Sequence, residues 1–300
     1  MLRILIFTAG LSAAASLANA AALSDVLISG PGPGCKASDR TGALVTASCT
    51  ATADRVTTTG SATAVAAGGH LGTAVFVDTQ AHSADGPGGY TALTYAQTVD
   101  RLRIDASNGE QGQALLTFAV SLAVQRTSIT NAPGPSAVTF AGTGSDLRAD
   151  VTIAGENHSL WLTETYRVDY RPETGPIGDG SSVAYIDDVA VPSALGPRTF
   201  AVPFTFGQEF DLQLELRGYV FAGAAGDGHA TMNIEAMNSF DWKGIQSVTV
   251  GGRDVAFSLT SESGVDWISP VPEPTSAWLL ASGLAACAAL VCMRQRRDKL

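Results

Sequence analysis

Acidic and aromatic side chains in the middle of the chain have the types that carbohydrate chemistry requires. Glycoside hydrolysis needs two carboxylates at a fixed separation. Four carboxylates could supply such a pair: Glu156, Glu164, Asp169 and Glu173. Three aromatic residues that could stack on sugar rings are interleaved with them: Trp161, Tyr166 and Tyr170. Strand alternation explains the same residues as a polar face and core aromatics, so we assign no catalytic residue here.

Two regions carry side chains of the kinds that bind metal ions. Asp78, His82 and Asp85 precede a Gly-Pro-Gly-Gly turn, so we interpret them as solvated turn residues. Asp179 and the pair 187–188 suit Ca²⁺ better, because this ion prefers several oxygen ligands on a loop, but they lack EF-hand spacing. No HExxH or paired-histidine spacing occurs. We predict no metal and no cofactor, and a calcium-binding module stays an alternative.

The sequence contains no clear nucleophile. The segment Gly142-Thr-Gly-Ser-Asp146 does not fit the Gly-x-Ser-x-Gly pattern of a nucleophile elbow. Cys35 and Cys49 lie in the part of the chain that we predict to be exported, where an oxidising compartment permits a disulfide. We therefore predict a bond between them. Cys287 and Cys292 lie in an apolar stretch and are interpreted as packing residues.

The segments that position these residues are predicted to be β-strands. Apolar and polar residues alternate, most clearly over Phe210–Leu216, and no segment shows a capped helical period. One wet and one dry face are typical of antiparallel sheets. Turn signals such as Asn108-Gly109 and Gly251-Gly252 separate the runs. The pattern predicts an all-β, antiparallel two-sheet sandwich of jelly-roll type over residues 21–268, with a weaker alternative boundary near 131–135.

Charge excludes some partners. The chain carries 18 Lys+Arg against 28 Asp+Glu, and five of the basic residues lie in the two ends, so the part between them is more acidic still. An acidic surface repels nucleic acid and anionic lipid headgroups, and neither is a predicted partner. With 45% hydrophobic and 15% charged residues, the composition favours a folded core over disorder.

The first 20 residues have the features of a secretory signal peptide. Arg3 gives the positive start, residues 4–17 are apolar or small, and Ala18-Asn19-Ala20 is a small-x-small cleavage site. We expect cleavage after Ala20. The following residues would then lie outside the cytoplasm.

The C-terminal end combines a Pro-Glu-Pro motif, an apolar stretch and a basic tail. The motif is Pro272-Glu273-Pro274, and the 20 residues from Pro274 to Met293 contain no Asp, Glu, Lys or Arg. That length is sufficient for a membrane-spanning helix, predicted over 275–293. The tail 294–300 carries Arg294, Arg296 and Arg297, which would keep that end in the cytoplasm.

This C-terminal arrangement resembles the PEP-CTERM sorting signal of exosortase substrates, with residues 269–300 as the signal. Strand-like segments such as Phe200–Gly207 are similar, more loosely, to late strands of the β-sandwich ectodomains in that group. The resemblance implies an exosortase-type membrane peptidase as a partner, membrane attachment through the C-terminal helix, and a role linked to exopolysaccharide or biofilm.

We therefore predict a non-enzymatic protein of the cell envelope or extracellular matrix. Two alternatives from other classes remain. One is a secreted carbohydrate-active enzyme on the same fold, which would show paired carboxylates in a cleft. The other is a sugar- or calcium-binding module, for which a shallow aromatic platform would be the mark.

Overall fold

Every regular element described in this protein is a β-strand. The structure, a computed structural model, describes residues 21–29, 34–41, 43–53, 56–67, 69–81, 83–131, 140–171, 175–191 and 197–270. The first nine strands are β1 (Ala21–Ser29), β2 (Cys35–Asp39), β3 (Val45–Ala53), β4 (Val56–Ala67), β5 (His70–Ala81), β6 (Ser83–Ala106), β7 (Gln113–Leu122), β8 (Gln125–Asn131) and β9 (Phe140–Ile153). The other eight are β10 (Glu156–Arg171), β11 (Gly175–Ile186), β12 (Val189–Val191), β13 (Arg198–Thr205), β14 (Glu209–Gly226), β15 (His229–Val250), β16 (Arg253–Asp254) and β17 (Phe257–Ser261).

The strands form two sheets. The larger sheet has nine strands in the order β12-β11-β10-β9-β14-β6-β1-β2, with β17 also paired to β6. The smaller sheet has eight, in the order β13-β7-β15-β5-β4-β3, with β8 and β16 also paired to β15. All these strand pairs are antiparallel. The prediction of an all-β protein with two antiparallel sheets is confirmed for the described residues.

Alternate side chains fill the space between the sheets. In β14 the leucines at 212, 214 and 216 are fully buried, whereas Asp211 and Arg217 are exposed, as the alternation predicts. Strands β14, β6 and β1 of the larger sheet pack on β5 and β4 of the smaller one. Large aromatic side chains complete the same core: Phe118, Phe240, Trp242 and Trp267.

Buried threonines join the two sheets. The hydroxyls of Thr73 in β5 and Thr94 in β6 are hydrogen-bonded to each other across the core. Thr79 of β5 donates to the Ala222 carbonyl oxygen of β14 at 2.9 Å, and Thr94 donates to that of Gly218 at 3.3 Å. A Cβ atom at Gly218 would lie 2.5 Å from the Thr94 hydroxyl oxygen, so only glycine leaves room for this contact.

A disulfide closes one edge of the sandwich. Cys35 in β2 of the larger sheet is bonded to Cys49 in β3 of the smaller sheet, with the Cα atoms 6.1 Å apart. This separation is ordinary for a disulfide. The bond therefore links the last strand of each sheet at that edge.

The predicted membrane segment lies outside the described residues. Within the described ranges, no helix is long and apolar enough to cross a membrane. The predicted signal peptide at 1–20 and the predicted helix at 275–293 are both beyond those ranges.

We predict opposite effects when two buried threonines are replaced by valine. Among the described residues the Thr98 hydroxyl has no hydrogen-bond partner, so Thr98→Val should raise the free energy of unfolding by roughly 1 kcal/mol. Thr94→Val removes a bonded hydroxyl and should lower it by roughly 1–3 kcal/mol. Urea unfolding of the two variants checks the signs, and equal losses would contradict the assignment of their partners.

We also expect the disulfide to stabilise the fold measurably. Its two cysteines are 14 residues apart in the sequence, and closing such a loop contributes about 3 kcal/mol in the chain-entropy description. The double variant Cys35→Ala/Cys49→Ala should lose about this amount in urea unfolding. Reductant should destabilise the wild type and leave the double variant unchanged. If reductant destabilised the wild type and the double variant equally, the stabilisation would not come from the Cys35–Cys49 bond.

Candidate functional site

The outer face of the larger sheet, meaning the side turned away from the smaller sheet, carries aromatic side chains. Strand register brings five of them to this face: Tyr95, Trp161, Tyr185, Tyr219 and Phe221. The rings of Trp161 and Tyr185 stack with their centroids 5.1 Å apart and their planes at 30°. Such a surface offers flat rings to a ligand instead of a closed cavity.

A trough of about 870 Å³ lies on this face across β14, β9, β10 and β11. Its floor is the backbone at Gly142 and Gly144 of β9, where no side chain rises from the sheet. A Cβ atom at Gly142 would meet only the Tyr166 carbonyl oxygen, at 3.7 Å, and one at Gly144 would meet nothing closer than 3.8 Å. The two glycines therefore leave a depression between neighbouring strands.

Phe221 forms part of one wall of the trough, and its ring lies over neighbouring glycines. A Cβ atom at Gly223 would lie 2.5 Å from the ring, and one at Gly89 would lie 2.9 Å from it. Larger residues at either position would force the ring to move. Glycines thus have two uses here: Gly89 and Gly223 seat the ring, whereas those at 142 and 144 keep the floor clear.

Polar groups line the rest of the trough. Tyr219 and Asp146 face each other on neighbouring strands, and burial together with the charge of Asp146 raises the pKa of the Tyr219 hydroxyl. On the opposite wall, the hydroxyls of Thr165 and Ser181 are hydrogen-bonded at 3.0 Å. Arg167 and Asp179 face each other in register at one end. The lining therefore offers hydroxyl, carboxylate and guanidinium groups beside the rings.

The same face brings together two carboxylates that sequence reasoning missed. Asp150 of β9 and Glu215 of β14 lie directly opposite each other, although 65 positions separate them in the sequence. Each is bound to its own arginine: Arg148 donates from Nε to both oxygens of Asp150 at 2.9 Å, and Arg217 donates to Glu215. Only the strand register, which the sequence does not display, reveals this pair.

Glu215 of this pair is held as a carboxylate. Burial alone would raise the pKa of Glu215, but hydrogen bonds from Arg217 and Tyr95 outweigh it and hold the pKa below the ordinary glutamate value. Tyr95 in turn has its pKa raised to about 12 by burial and by the charge of Glu215. A general acid needs a raised carboxyl pKa, so Glu215 does not suit that role. Because each carboxylate is bound to an arginine, we interpret the pair as part of an ion-pair lattice.

The carboxylates singled out from the sequence are not brought together. Glu156 and Glu164 stand eight residues apart in β10, about 26 Å along a strand. Glu164 is ion-paired with Arg126 at 3.2 Å. The side chain of Asp169 and all of Glu173 lie outside the described residues. Of the three candidate stacking aromatics, Trp161 reaches the outer face, Tyr166 points to the other face, and the Tyr170 side chain is outside the described set.

Two of the candidate metal ligands, Asp187 and Asp78, are bound to histidines. Asp187 and Asp188 form the turn between β11 and β12 with φ of 46° and 64°, a conformation that aspartate tolerates. The Asp187 carboxylate is bonded to His158 Nδ1 and accepts from the Ser159 backbone nitrogen. Asp78 is bonded to His229 Nε2 at 2.7 Å. His82 and the Asp85 side chain lie outside the described residues, and within that set no three His, Cys, Asp or Glu side chains could hold a metal ion.

A buried carboxylate fixes the segment that leads to the C-terminal end. Asp100 of β6 is 4% exposed, and it accepts hydrogen bonds from the side chains of Ser261, Ser263 and Trp267. Burial would raise its pKa, but these bonds dominate and hold the pKa below the ordinary aspartate value. We call this arrangement the Asp100 clamp.

Aromatic packing reinforces the Asp100 clamp. Trp242 donates from Nε1 to the Trp267 carbonyl oxygen at 2.7 Å, and the two rings meet edge to face at 5.8 Å. Phe118 stacks on the other side of Trp242 at 5.1 Å. Both tryptophans are fully buried. Trp267 is the last buried side chain among the described residues, three positions before Pro270, the last described residue.

The residues predicted to direct sorting lie outside the described residues. These are the cleavage-site residues Ala18 and Ala20, the motif Pro272, Glu273 and Pro274, and the membrane-stop residues Arg294, Arg296 and Arg297. They stay predictions from the sequence.

We predict that Asp100→Asn lowers the free energy of unfolding by roughly 3 kcal/mol at pH 7, because the buried donors lose a charged acceptor. The folded-state pKa of Asp100 is depressed, so its stabilisation is complete above about pH 4, the unfolded-state pKa, and is lost as the pH falls through the folded-state pKa. The difference between the two proteins in urea unfolding should therefore shrink below pH 4. Asp211→Asn, at an exposed carboxylate, serves as control and should change little. If the difference in unfolding free energy between wild type and Asp100→Asn did not change with pH, the ionised Asp100 carboxylate would not be its source.

Comparisons with known proteins identify no relative of this chain. A scan of protein-family models, a search of curated proteins and a search of solved structures each find no match for the chain. The two-sheet fold, the trough on its outer face and the Asp100 clamp are therefore interpreted from the residues of this chain alone.

Proposed function

We propose that this chain is an exported, non-enzymatic protein of the cell envelope or extracellular matrix, sorted by an exosortase-type membrane peptidase. Residues 1–20 are its signal peptide, and a β-sandwich of jelly-roll type follows outside the cytoplasm. The helix 275–293 crosses the membrane until the sorting signal is processed. The protein then reaches the cell surface or the surrounding matrix, where exopolysaccharide is its partner.

The observation that carries this proposal is where the first and last described segments lie. Ala21, the first described residue, pairs with Val99 of β6. The next residue in β6 is Asp100, whose clamp holds the segment up to Trp267. Ala21 and Trp267 are thus held beside neighbouring residues of β6, which supports the proposal that the two predicted targeting segments extend from one place on the fold.

The disulfide and the charge agree with export. A bond between Cys35 and Cys49 persists in oxidising compartments and is rare in the reducing cytosol. The acidic composition disfavours contact with anionic lipid headgroups, so a body held near a membrane by its C-terminal end would not adhere to that surface.

The Asp100 clamp would also set the position of the sorting motif. Pro272 is five positions after Trp267, and five residues of fully extended chain span at most about 18 Å, so the motif would lie within that distance of Trp267. Alternating prolines at 270, 272 and 274 favour an extended backbone. A short, extended peptide at a fixed distance from a membrane span is a suitable substrate for an embedded peptidase.

The mass of the mature protein tests the sorting proposal. In a host with its own exosortase, the wild type should lack the segment from Trp278 to Leu300. Glu273→Ala should retain that segment and still enter the membrane, because a residue outside the span contributes little to insertion. Leu284→Arg should impair membrane integration, since a charge at the middle of a span costs about 2.5–3.5 kcal/mol.

Glu262→Ala is the matched control for the motif. It removes an exposed carboxylate upstream of Trp267 and leaves Pro272-Glu273-Pro274 intact, so processing should equal that of the wild type. Wild-type protein that keeps its whole C-terminal segment would contradict sorting and indicate a permanent membrane anchor.

A further inference from the structure

We propose that the trough on the outer face of the larger sheet binds a neutral glycan chain. The proposal rests on the proposed partnership with exopolysaccharide and names the surface of the fold, and the class of glycan, through which that partnership would act. It starts from a feature that the fold itself does not require, namely a floor without side chains between an aromatic wall and a polar wall.

The position of the trough argues against a peptide as its occupant. Extended peptides usually add to the free edge of a sheet, where backbone groups are unpaired. The floor belongs to β9, which is already paired with β10 on one side and with β14 on the other. Its backbone hydrogen bonds are therefore used within the sheet, and a ligand must be recognised through side chains and ring faces.

The lining matches the two kinds of surface on a sugar ring. Pyranose rings present C–H groups on their faces, and these pack on aromatic rings such as Tyr219 and Phe221. Sugar hydroxyls on the ring edge both donate and accept hydrogen bonds. Asp146 and Asp179 can accept from them, and Thr165 can donate or accept. The phenolic hydroxyl of Tyr219 can donate as well as accept.

Charge selects a neutral chain over an acidic one. The protein carries a formal net charge of -10, and two carboxylates, Asp146 and Asp179, stand in the trough itself. Arg167 lies opposite Asp179 in the strand register and is the one basic residue among those that line the trough. A polyanionic polymer would be repelled at long range and locally, whereas a neutral polymer would not.

The glycine floor gives the proposal a sharp test. A side chain at residue 144 would project into the trough, since nothing lies within 3.8 Å of a Cβ atom there, and it would not enter the core. Gly144→Leu should therefore fill the site while leaving the fold intact. Tyr219→Ala removes an aromatic wall in a second, independent way.

Affinity gel electrophoresis of the full chain in mild detergent provides the measurement, with dextran, mannan and a mixed-linkage β-glucan as neutral probes and alginate as the acidic one. At least one neutral polymer should retard the wild type. Gly144→Leu and Tyr219→Ala should each weaken that retardation about tenfold or more, equivalent to at least ~1.4 kcal/mol. Leu115→Ala, which trims an exposed apolar side chain on the smaller sheet, is the control and should bind like the wild type.

The outcomes separate cleanly. Thermal unfolding of each variant shows whether the fold is retained. If Gly144→Leu does not fold, the binding of Tyr219→Ala alone tests whether the trough is the glycan site. Retardation by none of the neutral polymers, retardation by alginate alone, or undiminished binding by the folded variants would overturn the proposal. None of these results bears on processing of the C-terminal segment, so failure here leaves the sorting proposal standing.

Discussion

The burial of alternate side chains on the central strands is the constraint on which the rest of this structure depends. In β14 the even-numbered residues from Leu212 to Ala222 face the smaller sheet, and odd-numbered residues such as Asp211 and Arg217 are exposed on the other face. A slip of one residue would turn every side chain to the opposite face and carry these charges into the core. Since buried charges without partners are costly, only one register is compatible with the sequence.

That register then determines what the outer face contains. Glycines at 142 and 144 occupy outward positions of β9, so no side chain covers the floor of the trough. The arginine–carboxylate lattice involving Asp150 and Glu215 lies in neighbouring rows of the same face. One choice of register thus separates an apolar inner surface from an outer surface with rings, charges and an open depression.

The sequence predicts the class of fold better than it predicts the site. Alternation over Phe210–Leu216 is local information, so all-β structure and antiparallel sheets follow from it directly. The trough depends on which strands are neighbours, and β9 meets β14 across an interval of more than 50 residues. A local signal did exist: alternating glycines within a strand leave one face bare, and Gly142-Thr-Gly144 shows that pattern. The comparison with a nucleophile elbow did not consider that these two glycines would leave one face of a strand without side chains.

The two proposals are also linked by the direction of β6. Residue Thr91 pairs with Phe221 beside the trough, whereas Asp100 holds the segment that leads to the C-terminal end. Nine residues of extended strand separate them, roughly 30 Å. The Ala21 end lies with the Asp100 clamp, because Ala21 pairs with Val99. The trough and the Asp100 clamp therefore lie toward opposite ends of β6, so a ligand in the trough would leave the segment held by the clamp uncovered.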